Sequence, residues 1–237
     1  VSGSKFRIFQ VSRLDLRVEA GGWPEAERHR AEIDAAFARM CAANPHLWNG
    51  RVILLRGYSV QDGMLVGTCF ETDFAAFTWW RARGLDDLSA RNFFGMVALE
   101  GGDGAFVMGE MGDHTASAGD VYFAGGTPDP RDVTDGVLDL RGSALRELTE
   151  EVGLDAGEGA EEEGWDVVEH GIFFALFRRV RFAEKAQDLA ARITRFLASE
   201  TQPELKAVRV IAGENDLGLP VVPYAAAYAR WRFAGAV

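Results

Sequence analysis

The chain has 237 residues, 48% apolar and 26% charged, with 25 Lys and Arg against 36 Asp and Glu, a formal charge of −11. That length allows one large domain or two small ones, and the composition excludes a disordered chain. The acidic balance argues against nucleic acid as a partner, no apolar run reaches the ~18 residues of a membrane span, and two cysteines, Cys41 and Cys69, exclude a disulfide framework.

The N-terminus carries Lys5, Arg7, Arg13, Asp15 and Arg17 without an uninterrupted apolar core, unlike a signal peptide, and the chain opens on Val1. These features give the expectation of a soluble, cytoplasmic protein with neither nucleic acid nor membrane as a partner. Residues 24–44 read as a helix. Ile33, Phe37, Met40 and Cys41 recur at helical spacing, Pro24 suits the first turn, and Asn44-Pro45 is a stop. Residues 51–58 and 64–70 read as a hairpin around Gln61-Asp62-Gly63. A helix is expected over 73–83, then a second hairpin from 93–99 and 105–108. A short strand at 121–124 runs into Gly125-Gly126. Residues 127–142, rich in Pro, Asp and Gly, read as a loop. Helix 143–152 follows, with Ser143 as its cap and Gly153 as its stop. After acidic residues 158–163 come a strand-rich stretch over 167–182, a helix over 183–199, a strand over 207–211 and a last helix over 224–233. Strands with interspersed helices give an α/β sandwich.

Chemistry concentrates in Arg146-Glu147-Leu148-Thr149-Glu150-Glu151-Val152-Gly153-Leu154. On a helix Glu147, Glu150 and Glu151 share one face, and Leu145, Leu148 and Val152 share another. Three like charges within one turn repel, and a hard divalent cation relieves that repulsion. Taken alone, the same spacing also suits a solvated acidic face.

The full nine-residue string resembles the second half of the Nudix box, G-x5-E-x7-R-E-U-x-E-E-x-G-U with U aliphatic. Every specified position from Arg146 to Leu154 matches, and Gly125-Gly126 after a strand resembles the entry turn of that family. The first half departs from it: the Glu position falls on Leu138 and the Gly position on Asp132. From Gly126 to Arg146 there are 19 intervening residues against 13 in the pattern, six more. Asp139 is the nearest acid before the helix, a stand-in for the missing Glu or a turn residue.

The resemblance implies a Nudix-type α/β/α sandwich with a mixed central sheet. Residues 91–237 would form the hydrolase domain, and residues 1–90 an N-terminal extension packed on it. It further implies Mg²⁺ or Mn²⁺ held by Glu147, Glu150, Glu151 and the carbonyl of Gly126. Glu147 would take a proton from the attacking water, and Arg146 would orient the carboxylates. The substrate would be a nucleoside diphosphate linked to another moiety: a nucleotide sugar, ADP-ribose or a coenzyme A derivative. Residues 55–58, 72–74 and 92–95 faintly resemble the branch that includes UDP-sugar pyrophosphatases, and a homodimer is common in similar proteins. Leu138 and the long loop also allow a binding or regulatory module that has lost hydrolysis.

Outside the box, Glu204 and Glu200 are candidates for the further acid many Nudix enzymes use, each with an exposed-carboxylate alternative. His114 is placed to approach a phosphate or ribose, whereas His29, His46 and His170 read as surface or structural. Arg178, Arg179 and Arg181 read as phosphate contacts or as edge-strand charge. Phe77, Trp79 and Trp80 read as core or as an aromatic shelf.

Overall fold

The computed structural model describes residues 6–45, 47–84, 87–115, 117–218 and 220–235; His46 lies outside the described residues. The chain divides into two units. One comprises Val1–Ser12, Phe94–Gly126 and Arg141–Val237, the other Arg13–Phe93 and Thr127–Leu140. The expected cut at residue 90 is therefore replaced by an interleaved division, because the pairing of two short segments decides it. Strand β1 (Arg7–Val11) runs antiparallel to β12 (Trp165–His170), which puts the start of the chain in the first unit. Strands β9 (Val133–Thr134) and β10 (Val137–Leu138) form a hairpin that pairs with β2 (Arg13–Val18). That hairpin puts the expected loop in the second unit.

The first unit is built on a sheet ordered β1-β12-β13-β5-β6-β14, with β13 at Phe173–Arg181, β5 at Asn92–Glu100, β6 at Phe106–Met111 and β14 at Leu205–Ile211. Short strands extend it: β7 (Val121–Tyr122) pairs with β6, β8 (Gly125–Gly126) with β5, and β11 (Ala160–Glu161) with β13. Alternation along β5 and β6 puts Phe94, Met96, Ala98, Phe106 and Met108 on one face. There they pack with Ala225, Tyr228 and Ala229 of helix α6 (Pro223–Phe233). Val97 and Leu99, also buried, take the opposite face. Helix α5 (Ala186–Leu197) packs along β14 and β6 through Leu189, Ile193 and Leu197, which stand outside the α6 cluster. The sheet thus carries a helix on each face, a mixed α/β architecture.

The second unit holds a five-stranded mixed sheet ordered β3-β4-β2-β10-β9, with β3 at Arg51–Gln61 and β4 at Met64–Asp73. Strands β2 and β4 are parallel, whereas β3 and β4 form the expected hairpin. Asp62 (φ 50°) and Gly63 (φ 73°) make its two-residue turn, both left-handed as a type I′ turn requires. The helix expected over 24–44 is broken into α1 (Pro24–Arg28) and α2 (Arg30–Ala43) at His29. The imidazole of His29 lies between Glu25 and Glu32 and 5.0 Å from the Trp79 ring. In α3 (Phe74–Ala82), capped by the Asp73 carboxylate, Phe77, Trp79 and Trp80 are buried, so these rings are core and not a shelf. Among the described residues no helix is long and apolar enough to cross a membrane.

Candidate active site

Helix α4 (Leu140–Val152) starts three residues before its expected first residue. Ser143 is consequently buried inside the helix and caps nothing. The expected stop holds. Gly153 sits at φ +67°, and a Cβ there would lie 2.4 Å from the Phe196 ring, so only glycine closes the helix without a clash. The Thr149 hydroxyl donates to the carbonyl of Leu154 at 3.1 Å and ties the exit to the last turn. Ala144, Leu148 and Val152 are fully buried, whereas Leu145 is only half-buried.

The three glutamates share a helix side but differ in burial. Glu151 is 6% exposed, while the side chains of Glu147 and Glu150 are 19% and 56% exposed. The Arg146 guanidinium spans two of them through one nitrogen: Nη1 donates to Glu147 Oε1 at 2.7 Å and to Glu150 Oε2 at 3.2 Å. Glu151 instead reaches the glycine corner, where its Oε2 accepts from the Gly125 N–H at 3.3 Å. Gly126 lies beside Glu147, since a Cβ on Gly126 would sit 3.6 Å from the Glu147 carboxyl carbon. Arg146 thus contacts Glu147, which lies beside Gly126, while Glu151 reaches Gly125, and Glu150 stands at the wet rim.

A further acid joins them. Glu204 precedes β14, and its carbonyl accepts from the Gly112 N–H at 2.8 Å. Its charge bears on Glu147 and on Glu151, while Glu200 is an exposed residue just after α5. Burial pushes Glu151 well above the usual carboxylate range, and the charges of Glu204 and Glu147 push it further. Glu147 is raised by burial and by Glu150, against the pull of Arg146. Glu204 is raised by partial burial, against His114, with Glu150 adding to the rise. His114 is exposed on the loop after β6, its ring 2.9 Å from where a Gly112 Cβ would stand.

Tyr122 went unnoticed in the sequence. Burial raises its phenol, with the charges of Glu151 and Glu204 contributing next. Its only signal is its place on the strand that enters Gly125-Gly126.

Two expectations fare differently. Leu138, at the position of the missing glutamate, is a buried residue of β10 in the second unit. Asp139 follows it, exposed, its N–H donating to the Asp132 carbonyl at 2.8 Å. Strand β13 lies between β12 and β5, so Arg178, Arg179 and Arg181 are not edge charges. Arg178 pairs with Glu161, Arg179 with Glu100 and Glu162, and Arg181 with Glu100.

Among the described residues no three acidic, His or Cys side chains already converge as a cation's ligand shell. The donor chemistry nevertheless fits a hard divalent cation. Two carboxylates, Glu147 and Glu151, meet the Gly125-Gly126 corner, burial raises both, and the Arg146 guanidinium bonded to Glu147 offsets part of the charge.

Solved structures similar to this chain include Nudix hydrolases. One, RenU from M. smegmatis, is 19% identical, with a TM-score of 0.39 over 62% of this chain and 86% of its own. Another, the Bacillus subtilis pyrophosphohydrolase BsRppH, is 17% identical, with a TM-score of 0.28 over 51% of this chain and 62% of its own. No family profile and no curated relative matches the chain. The string that resembles the second half of the Nudix box lies on α4 and its glycine stop, and residues 133–138 before it form the β9–β10 hairpin.

Proposed function

We propose that the protein is a metal-dependent pyrophosphohydrolase of the Nudix kind. It would cleave the P–O–P bond of a nucleoside diphosphate joined to a second group such as a sugar, ribose or pantetheine-bearing moiety. The observation that carries this reading is the Glu151 carboxylate on the Gly125 N–H, with Glu147 beside Gly126 on the same helix and held by Arg146.

Glu147, Glu150, Glu151 and the Gly126 carbonyl would hold Mg²⁺ or Mn²⁺. Bound there, the cation would offset phosphate charge and lower the pKa of water. Arg146 keeps Glu147 and Glu150 oriented toward one another through a shared nitrogen. Glu204 has no guanidinium partner among the described residues and is solvent-reachable, which suits it to accept the proton of the attacking water. Glu147, the alternative acceptor, is already bound to Arg146. The water oxygen forms the new bond to phosphorus as the bridging oxygen leaves with its electron pair. The site contributes by positioning and by fixed charge.

A panel of nucleotide sugars, ADP-ribose, dinucleoside polyphosphates, coenzyme A and nucleoside triphosphates, assayed with Mg²⁺ and with Mn²⁺, tests the reading. Release of a nucleoside monophosphate that Glu151→Gln abolishes is the expected result. Leu138 in place of the box glutamate favours a second reading, a Nudix-fold module that binds nucleotide without turnover. Saturable ligand stabilisation with no product from any member of the panel would select it.

A further inference from the structure

The sheet of the first unit ends on β14, and among the described residues no strand pairs with its outer side. The direction of each backbone group on this strand follows from its neighbour β6. The Met111 N–H donates to Asp120 and the Met111 carbonyl accepts from Gly119, away from β14, whereas the Gly112 N–H donates to the Glu204 carbonyl. Alternation then turns Glu110, Met108 and Phe106 toward β14, and their partners Ala207, Arg209 and Ile211 toward β6. Val208 and Val210 consequently aim their N–H and C=O groups out of the edge. Ala212, next in that series, does the same, its N–H donating to the Asp216 carboxylate at 2.8 Å. Beside the edge lies a groove of about 540 Å³, walled on the far side by Gln187, Ala190, Ala191 and Thr194 of α5. The side chains of Val208 and Val210, opposite Gly109 and Val107, are half-buried on the α5 face of the sheet.

An open edge is a template for a further strand, and proteins blunt it with proline or with outward charge. Strand β14 holds no proline, and its two cations are drawn back onto their own unit. Arg209 reaches Glu110 at 2.6 Å, while Lys206 lies 2.8 Å from Asp113 and 3.4 Å from Glu110. Two cations against two acids leave this edge balanced in a chain of charge −11, so a second copy meets little repulsion here. The spacing fits a second copy as well. Helix α5 packs along both β6 and β14. With strands about 4.8 Å apart, the α5 of a copy, lying over the next two strands, would stand about 10 Å from the first, an ordinary helix–helix distance. Ala191 and Thr194, small and exposed, suit such an approach. Pairing of Val208 with itself sets Arg209 opposite Ala207 of the partner subunit, so no like charges stand directly opposite.

We propose that β14 is a dimer interface. Two copies pair their β14 strands antiparallel about a two-fold axis, α5 packs on α5, and the two sheets become one. The interface is built from the first unit and does not depend on the chemistry of the acidic corner.

Size-exclusion chromatography with light scattering on the full chain, at roughly 100 μM, tests it, and twice the chain mass is expected. Val208→Pro removes an N–H that faces outward, which an edge strand tolerates. Ala191→Glu sets two carboxylates against one another across the axis and keeps a good helix former in α5. Each variant should raise the dimer dissociation constant at least roughly tenfold while retaining the wild-type circular dichroism. A monomeric wild type overturns the interface and leaves the groove to an extended segment of another protein. Wild-type dimerisation in Ala191→Glu, or in a folded Val208→Pro, overturns it equally, and Ala191→Glu decides the matter where Val208→Pro fails to fold.

Discussion

Glu151 Oε2 accepts from the backbone N–H of Gly125 at 3.3 Å, and Gly125 holds a backbone conformation closed to other residues. Its φ is +152°, and a Cβ there would stand 2.2 Å from the Gly95 carbonyl on the paired strand. The corner that presents an N–H to the buried carboxylate therefore exists because two backbones approach without side chains between them.

Gly125→Ala is expected to cost at least about 2 kcal/mol, from strain and forced strand separation. Gly126→Ala meets Glu147 only at 3.6 Å, an ordinary contact, and is expected to stay within about 1 kcal/mol of wild type. Chemical denaturation of the two variants checks the contrast. Equal stabilities would mean that the corner is not held as described.

Arg146→Ala removes the positive charge that opposes the rise of Glu147. Glu147 then holds its proton to higher pH, so the acidic limb of the rate profile should move upward. Activity should fall roughly 10–100-fold, as for other residues that orient metal-binding carboxylates. Arg146→Lys should recover part of the loss, because a compact ammonium does not reproduce a guanidinium's planar geometry. A pH–rate profile of all three proteins makes the measurement, and an unmoved acidic limb in Arg146→Ala would contradict the assigned role.

Helix α4 was legible because its signals are local. Arg146 to Leu154 places acids, apolar residues and a stop glycine at fixed offsets, and the helix reproduces them. Its start was not, since Ser143 has the chemistry of a cap but the chain is already helical from Leu140. The Pro- and Asp-rich stretch reads as a loop until β2 is known to pair with Val137. That contact spans the second unit and leaves no local trace. The same holds for the Arg178–Arg181 segment, whose charges look like those of an edge until both neighbours of β13 are known. Glu204 was one of two equal candidates, and only the fold brings it, and not Glu200, to bear on the glutamates of α4.

Tyr228 is fully buried and stacked on Phe177, with ring centroids 4.1 Å apart. Its hydroxyl donates to Asp166 Oδ2 at 3.1 Å, while Gln10 donates to Oδ1 at 2.8 Å. Tyr228→Phe keeps the stack and removes one donor from a buried carboxylate. A loss of about 1–2 kcal/mol is expected, with activity nearly unchanged. Denaturation combined with the hydrolysis assay separates the two effects, and a large loss of activity at full stability would place Tyr228 in the reaction.

Glu147, Glu151 and Glu204 all have folded values above the ordinary 4.5. For a carboxylate raised on folding, the contribution to stability is complete below the unfolded value and is lost as pH rises through the folded one. Glu161 and Glu110, lowered by their ion pairs, have the opposite sign: their contribution is complete above 4.5 and is lost only as pH falls below it, so it does not vary from about pH 5 upward. In EDTA the melting temperature should therefore decline from about pH 5 toward neutrality, and Glu151→Gln should flatten that decline by removing the most strongly raised acid. Mg²⁺ should reverse the trend in wild type, because a ligand that binds only the folded, ionised corner stabilises it by mass action. The increment should grow with pH and shrink in Glu151→Gln. A metal-induced stabilisation equal in both proteins would show that the cation binds elsewhere.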